Sequence, residues 1–479
     1  MPRAPDAKSL GVVLFQNTAT HPSDAFLGVA LGIRVAEELL ATGDIPVVAS
    51  QKFGYEMLAT PRGVSEVART LGVRYVLGAK VGRMETGEIT VLAELRRAKD
   101  GATVWSLRRS SAMREVPGLV ADLVDGVVAT LTNRELASRP TAARLAGWSN
   151  IPAGEAVDHY LRGAYYSSLN TIADYEAALA QFDSASMMDP GSSIAFASSA
   201  LTIAKMLEWG WWDYGAQRVA QLAERGLAAA DRALQIDSSN AHAWVARGSL
   251  LSFRNPRTYA GVFGSYTRAI AYSAHDPVVH HWYGRALMQV GERTAARREL
   301  SKALDLAPTD AGVLFDFARL YRHDGSYNSA CILLDSAVAA SPTAAQVYIL
   351  RALTRARRGE LRFAWADAET GGRLGWPLWG QAASAAIDAR ARDTTGARER
   401  TDIVRKAAAA AGTHPREWTG EYLALALVAS GQKERALDVL ESAQPRGARL
   451  WFALTGPDFA ALRKQPRYQK LVAASRPRR

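Results

Sequence analysis

The chain has 479 residues, more than the ~250–300 that a single hydrophobic core usually serves, so at least two structural units are expected. Apolar residues make up 48% of the sequence but never form a run of about 18, so no transmembrane helix is predicted. The formal net charge of +11 comes mostly from arginines spread along the whole chain, so direct nucleic-acid binding is not predicted.

Residues 8–137 predict a small α/β domain. The apolar run near the N-terminus is interpreted as a first strand, because no small-residue cleavage site of a signal peptide follows it. The hydrophobic pattern then gives the order β-α-β-α-β-β-β-α, with Asp24 as the expected cap of the first helix. Gly28 and Gly32 in that helix indicate close packing against the sheet, an interpretation favoured over a phosphate-binding loop.

Residues 155–443 are rich in alanine and have a helical hydrophobic period. Turn-forming steps that end successive helices fall at Pro190, Ser238, Ala274, Pro308 and Pro342. The intervals from 274 to 308 and from 308 to 342 are each 34 residues, the length of one helix–turn–helix unit. About eight helix pairs are therefore predicted in this region.

The best-defined units place small residues where two paired helices approach each other. Gly284, Ala296 and Ala303 hold these positions in one unit, and Ala318 and Ala330 repeat them in the next. These segments resemble tetratricopeptide repeats. The resemblance implies a mainly α fold, an α-solenoid of tetratricopeptide repeats that carries the small α/β domain at its N-terminal end.

Three segments outside this pattern have interpretations of their own. Residues 138–154 are a predicted linker, and residues 444–479 are a predicted C-terminal capping helix with a basic tail. An insertion in the second unit carries Trp209, Trp211 and Trp212. These tryptophans form either an aromatic platform for a ligand or a loop that folds onto the neighbouring repeat.

The N-terminal domain also resembles a known module. Its opening strand, the segment LGVRYVLGAKV, the Asp100-Gly101 hairpin with Trp105 and the final helix are similar to a TolB-like domain. Such domains precede tetratricopeptide repeats in many bacterial regulatory proteins. The segment GPDFAALRKQPRYQKLV is similar to the short closing helix of these proteins. The resemblance implies a role in bacterial signalling or regulation.

The sequence shows no recognised catalytic motif. It lacks a phosphate-binding loop followed by Lys-Ser/Thr, kinase signatures, a GxSxG elbow and an HExxH pair. Cys331, the only cysteine, lies on an apolar helix face and is predicted to be an inert core residue. His280 and His281 are adjacent, about 100° apart on a helix, so they are not expected to bind a metal together. No enzyme activity, cofactor or metal is predicted.

The predicted function lies in the concave groove, which the first helix of each repeat lines in such solenoids. Candidate peptide-binding residues in this groove are His242, His281, Arg285, Phe315, Arg319 and Arg322. Arg285 holds the position of Arg319 in the preceding unit, and Arg322 shares the helical face of Arg319, so the three guanidiniums are expected to meet. Such a cluster suits an acidic peptide or a C-terminal carboxylate. The alternative is a solvated arginine face.

A second arginine-rich run includes Arg355, Arg357, Arg358 and Arg362 around Gly359. It spans a helix end, where cations interact favourably with the helix dipole by ~0.3–1 kcal/mol. Helix capping is the favoured interpretation, and contact with an acidic surface is the alternative.

These features favour a non-catalytic scaffold that binds protein partners. The alternative is that the chain is the sensor half of a signalling protein whose effector domain lies outside this chain. The effector would be a receptor-like serine/threonine kinase, a nucleotide cyclase or a transcriptional regulator. Direct DNA reading is least favoured, because no helix-turn-helix reader and no concentrated basic helix is found. As written, the chain is expected to be cytoplasmic, or extracytoplasmic if a membrane helix precedes it. The sequence leaves the partner and the oligomeric state open.

Overall fold

The computed structural model describes residues 9–19, 21–133, 154–169, 172–208, 216–255, 259–410, 417–442 and 448–478. Most of the predicted linker, together with Trp209, Trp211 and Trp212, lies outside the described residues. Within the described ranges, no helix is long and apolar enough to cross a bilayer. The described chain forms an α/β domain, a helical solenoid and a C-terminal segment.

The α/β domain is built on one mixed sheet. Its strands are β1 (Leu10–Leu14), β2 (Gln16–Asn17), β3 (Val47–Gly54), β4 (Tyr75–Arg83), β5 (Ile89–Arg97) and β6 (Thr103–Ser111). Its helices are α1 (Phe26–Thr42), α2 (Pro61–Leu71) and α3 (Val116–Thr132). The sheet order is β3-β1-β4-β5-β6, with β1 parallel to both neighbours and β5 antiparallel to both of its own. The element order is the one that the sequence predicts, apart from the two-residue β2, which pairs with β4.

Helix α1 lies very close to the sheet. A Cβ atom at Gly28 would lie 2.5 Å from the carbonyl oxygen of Phe15, so only glycine fits there and the predicted close packing is confirmed. The predicted Asp24 cap is wrong, because α1 begins at Phe26 without a side-chain cap. Asp24 lies in a short turn before the helix, and its buried carboxylate is 3.4 Å from the Arg83 guanidinium. Asp24 therefore forms an ion pair with Arg83 and does not cap α1.

The solenoid consists of eight helix pairs in the described ranges, which we number units 1 to 8. The first helices are α4 (Ala156–Leu169), α6 (Ser193–Glu208), α8 (Ala241–Arg254), α10 (Pro277–Gln289), α12 (Ala311–His323), α14 (Ala345–Arg358), α16 (Pro377–Arg390) and α18 (Glu417–Ala429). The second helices are α5 (Ile172–Met188), α7 (Ala216–Ile236), α9 (Ala260–Tyr272), α11 (Arg293–Leu306), α13 (Tyr327–Ala340), α15 (Leu361–Arg373), α17 (Thr394–Ala410) and α19 (Lys433–Ser442). The predicted tetratricopeptide-repeat solenoid is confirmed.

Turn chemistry sets the length of the units. Helices α5, α7, α9, α11 and α13 each end two residues before one of the predicted turn positions. The side chains of Asn240, Asp276 and Asp310 then accept hydrogen bonds from the first backbone N–H groups of α8, α10 and α12. Inside unit 4, a Cβ atom at Gly284 would lie 2.8 Å from Cγ of Leu300, so the paired helices need a small residue there.

The α/β domain and the solenoid share one hydrophobic core. Val157, Tyr160 and Leu161 of α4 belong to the same buried cluster as the apolar residues of α1 and α3. At the edge of this cluster, Arg83 of β4 forms an ion pair with Asp158 at 2.9 Å. The solenoid therefore begins on the surface of the α/β domain.

The C-terminal segment contains α20 (Ala448–Thr455) and α21 (Pro466–Ser475). Helix α21 covers unit 8, where Arg467 forms ion pairs with three carboxylates of α19. We call residues 459–475, which end with this helix, the cap. Helix α20 and the residues after it instead fold back into the concave side of the solenoid. We call Ala448–Asp458 the groove segment.

Candidate functional site

The groove segment runs along the concave side of the solenoid. It contacts first helices of units 2 to 6, and its hydrogen bonds to these helices join residues that are 100 to 242 positions apart in the chain. The groove that the sequence assigns to a partner therefore holds a part of the same chain.

Asp316 of α12 lies at the centre of a buried cluster of charged side chains. Its carboxylate accepts a hydrogen bond from Nη1 of Arg319 at 2.9 Å and lies 2.9 Å from Nε2 of His281. Nη1 of Arg285 is 3.8 Å away, and Nη2 of the same residue is 3.0 Å from a carboxylate oxygen of Glu208. The structure thus brings Arg285 and Arg319 together, around carboxylates of the same chain.

Burial and charge oppose each other at this cluster. Burial alone would raise the pKa of the Asp316 carboxyl, but Arg285 and Arg319 lower it well below its usual range. Burial alone would lower the pKa of Arg285, but Glu208 and Asp316 raise it. Each group stays charged because of its neighbours, so removal of one partner leaves a buried charge without compensation.

Arg322 contacts the groove segment instead of the Asp316 cluster. It forms an ion pair with Asp458, and Arg357 of α14 lies 3.8 Å from the same carboxylate. Arg357 also donates a hydrogen bond to the carbonyl oxygen of Pro457. Burial would raise the pKa of Asp458, but the two guanidiniums lower it. These arginines recognise both a carboxylate and a main-chain carbonyl.

An aromatic side chain holds the middle of the groove segment. The Phe452 ring stacks on the His323 ring with 4.5 Å between centroids, and the Arg319 guanidinium lies 5.3 Å from the Phe452 centroid. Oγ1 of Thr455 lies 3.1 Å from Nε2 of His323. Burial and the positive charge of Arg293 lower the pKa of His323 to about 4. The imidazole is therefore neutral at neutral pH, which favours its stacking on an apolar ring.

Arg449 anchors the beginning of the groove segment. Its guanidinium lies 2.7 Å from the Glu208 carboxylate and donates a hydrogen bond to the carbonyl oxygen of Leu207 at 3.1 Å. It also lies 3.6 Å from the centroid of the Phe253 ring. Three anchors therefore fix the groove segment: this arginine, the phenylalanine in its middle and the aspartate at its end.

A cavity of about 150 Å³ remains between the groove segment and units 4 to 8, with Glu208 of unit 2 also in its wall. The solenoid contributes Phe315, Arg319, Gln346, Leu350, Trp376 and Trp379 to its wall. The groove segment contributes Phe452, Pro457 and Asp458. Aromatic and aliphatic surface combined with charged groups suits an amphipathic ligand such as a peptide side chain.

The comparisons with known proteins find similarity only among solved structures, at low sequence identity. No protein-family model matches the chain, and no curated protein matches it in sequence. Among solved structures it is similar to yeast Tom70, with 13% identity over 75% of this chain and 83% of that chain and a TM-score of 0.40. It is similar to the human IFIT1 dimer with m7Gppp-AAAA (14% identity, 69% and 84% of the two chains, TM-score 0.44). It is also similar to TTC0263, a TPR protein of Thermus thermophilus (17% identity, 42% and 98%, TM-score 0.35).

His242, one of the six predicted groove residues, lies apart from the Asp316 cluster. Its Nε2 is 2.7 Å from the carboxylate of Asp276, which also caps α10. Burial would lower the pKa of His242, but this carboxylate raises it. The imidazole therefore joins units 3 and 4.

Of the other five predicted residues, His281 contacts the buried Asp316, and four line the cavity: Arg285, Phe315, Arg319 and Arg322. Arg285 and Arg322 are only 7% and 6% exposed, so a solvated arginine face is wrong for these two. Arg319 keeps 20% of its side chain exposed and lines the cavity. The arginines thus differ in whether a partner can reach them.

The carboxylates Glu208, Asp316 and Asp458 are the groove residues that sequence reasoning misses. Asp316 lies three residues before Arg319, a spacing typical of an ion pair on one helix face, so a signal was present. The other two carboxylates lie far from their arginines in the sequence, so no local pattern connects them, although Asp458 belongs to the segment that resembles a closing helix.

The second arginine-rich run combines both of its interpretations. Gly359 ends α14 in a left-handed conformation with φ of 83°, beside the last-turn cations. Arg355 contacts the carboxylates of Asp335 and Asp367, and Arg357 contacts the groove segment. Contact with acidic groups of the same chain is therefore the dominant role of these two guanidiniums.

The structure places the remaining singled-out residues in the core. His280 is buried, with Nδ1 2.7 Å from Glu299 and Nε2 2.9 Å from the carbonyl oxygen of Ala274. Cys331 is buried, and burial raises the pKa of its thiol. In the described part of the chain, no group of histidine, cysteine and acidic side chains is arranged to hold a metal ion.

Proposed function

We propose that the chain is a non-catalytic scaffold that binds a segment of a partner protein in the concave groove of units 5 to 8. The occupied groove carries this proposal, because Arg322 and Arg357 already hold a carboxylate and a carbonyl group of a peptide segment. Guanidinium groups suit this recognition because their forked donors match carboxylate geometry. An acidic peptide or a C-terminal carboxylate is the expected ligand.

The cavity beside the groove segment gives the partner a point of entry. The Arg319 guanidinium lies 5.8 Å from the centroid of the Phe315 ring and 5.3 Å from that of Phe452. Leu350 and Trp379 add apolar surface from units 6 and 7. A partner segment with one aromatic and one acidic side chain fits these groups.

A role in bacterial signalling or regulation is part of the same proposal. The resemblance of residues 8–137 to a TolB-like domain supports it. The core that this domain shares with unit 1 fixes its position on the solenoid. The α/β domain then offers a second docking surface at a defined place relative to the groove.

Selection of short random peptides on the full chain tests the proposal. The selected peptides are measured against two variants, Leu350→Asp and Ile332→Asp. Leu350 lines the cavity, whereas Ile332 lies on the second helix of unit 5 and is 67% exposed. The same aliphatic-to-acidic change is thereby made inside and outside the groove.

We expect Leu350→Asp to weaken the binding of the selected peptides about tenfold or more, because it places a carboxylate in an apolar wall. Ile332→Asp should bind them as the wild type does. The thermal unfolding midpoint of each variant shows whether its fold is intact. Peptides that bind both variants equally, or a selection without binders, would contradict the proposal.

A further inference from the structure

We infer that the groove segment is an internal competitor of the partner: it occupies the partner's site and leaves when the partner binds. This inference rests on the proposed function and names the class of ligand. That class is a peptide with an aromatic side chain followed, six residues later, by a carboxylate, the spacing of Phe452 and Asp458. A partner of this chemistry makes the contacts of Phe452 and Asp458, two of the three anchors.

Two of the three anchors of the groove segment, Phe452 and Asp458, are contacts that a separate peptide can also make. The Phe452 ring lies against His323 and Arg319, and the Asp458 carboxylate pairs with Arg322. These partners lie on α12, a first helix, and first helices form the binding face of a repeat solenoid. The segment therefore occupies the groove in the manner of a bound peptide.

The groove segment is held by ion pairs in addition to buried apolar side chains, whereas apolar packing is the main support of the cap that follows it. The cap residues Phe459, Leu462, Tyr468 and Leu471 are buried among apolar side chains of units 6 to 8. The ion pairs of Arg449 and Asp458 must instead be taken out of water, and this desolvation offsets much of their attraction. Part of the attachment of the groove segment therefore consists of charge contacts that a competing peptide with a carboxylate can replace.

Helix α20 is suited to exist in two states. It has eight residues, fewer than the ~12–15 that an isolated helix needs for stability in water, so its structure depends on the groove. Phe459 and Leu462, which directly follow the segment, remain in the core of the cap and keep a released segment next to the groove. A tethered segment has an effective concentration in the mM range, enough to exclude ligands that match only one anchor.

The variant Asp458→Lys of the full chain tests this inference. The new cation would lie beside Arg322 and Arg357, and repulsion should move the segment out of the groove. The probe is a fluorescent peptide with the sequence of residues 448–459, ARLWFALTGPDF. We expect the variant to bind it about tenfold more tightly than the wild type, because a larger fraction of the molecules has an open groove. Adding Arg322→Ala should abolish the gain.

Two controls accompany this measurement. Asp438→Asn changes an exposed carboxylate of α19 that pairs with Arg467, outside the groove, and should bind the probe as the wild type does. A probe with lysine in place of its aspartate should bind neither protein. Equal binding of the original probe to the wild type and to Asp458→Lys would overturn the inference.

Locking the segment in place gives a second test that does not depend on the charge change. His323→Cys with Thr455→Cys puts two thiols where the native side chains are 3.1 Å apart, and a short bismaleimide bridges them. The native Cys331 is buried and does not compete for the reagent. We expect bridging to weaken the binding of the peptides selected on the full chain about tenfold. Unchanged binding after bridging would overturn the inference.

The outcomes separate this inference from the proposed function. If Leu350→Asp abolishes peptide binding while Asp458→Lys and the bridge change nothing, the groove is the partner site and the segment is not its competitor. If no selected peptide responds to Leu350→Asp, the proposed function fails, and the inference fails with it even when the probe binds Asp458→Lys.

Discussion

At the scale of single residues, Asp316 holds charged side chains of two repeats together beneath the groove. Its carboxylate contacts Arg285 of unit 4 and Arg319 of unit 5, so one side chain joins two consecutive repeats. The residue is 1% exposed, and its charge persists because the guanidiniums lower its pKa against the effect of burial. The groove surface is therefore a compensated set of charges and not a free cationic patch.

Asp316→Asn should lower the free energy of unfolding by about 3–5 kcal/mol, because buried guanidiniums lose their counter-charge. Asp335→Asn is the matched control, since Asp335 is 53% exposed and its two arginine partners keep a second carboxylate. Asp335→Asn should lower the free energy of unfolding by less than about 1 kcal/mol. Urea unfolding followed by circular dichroism measures both, and equal losses would contradict the central position of Asp316.

His323 should make stability depend on pH in the mildly acidic range. Its pKa is lowered to about 4 by burial and by Arg293, whereas an unfolded histidine titrates near ~6.5. The unfolded state therefore takes up a proton first, and stability falls as the pH falls from about 6.5 to about 4, by at most about 3 kcal/mol. His242, whose pKa is raised, acts above this window instead.

The variant His323→Gln keeps an amide donor for Thr455 but does not titrate. We expect its unfolding free energy to change less between pH 6.5 and pH 4 than that of the wild type, in parallel denaturation series. The same slope in both proteins would show that another group causes the pH dependence.

At the scale of helices and strands, turn residues fix the boundaries and small residues fix the contacts. Pro190, Pro308 and Pro342 allow the ends of three helices to be predicted, because proline cannot continue a helix. The position of α20 cannot be predicted in this way. Its apolar residues suit a simple cap equally well, and the carbonyl that receives its Arg449 hydrogen bond is 242 residues away. No local pattern spans that separation.

Gly28→Ala should destabilise the α/β domain by about 1–3 kcal/mol, because its Cβ would lie 2.5 Å from the Phe15 carbonyl oxygen. Gly118→Ala is the control in α3, where nothing lies within 4 Å of the added atom. It should be neutral or stabilise the protein by up to about 1 kcal/mol through helix propensity. Thermal unfolding of both variants measures this difference: the midpoint should fall for Gly28→Ala and should stay the same or rise for Gly118→Ala.

Across the whole molecule, the chain closes onto its solenoid from both ends. Ser50 of β3 lies 3.4 Å from Thr309 in the loop before α12, and Arg449 of the groove segment reaches Glu208 of unit 2. The repeat pattern predicts the stack of helix pairs because each unit carries its own signal. It does not predict this closure, which depends on the curvature summed over all units. Part of the groove is consequently occupied by the chain itself.

Hydrogen exchange of the wild-type chain, with and without a peptide selected on it, tests the central claim most directly. The account predicts that the peptide slows exchange in the groove-facing helices α12 and α14 and speeds exchange in residues 448–455. This pair of changes requires the peptide to enter the groove and the segment to leave it. If the peptide leaves the exchange rates of α12, α14 and residues 448–455 unchanged, the claim that the concave groove is the partner site is contradicted.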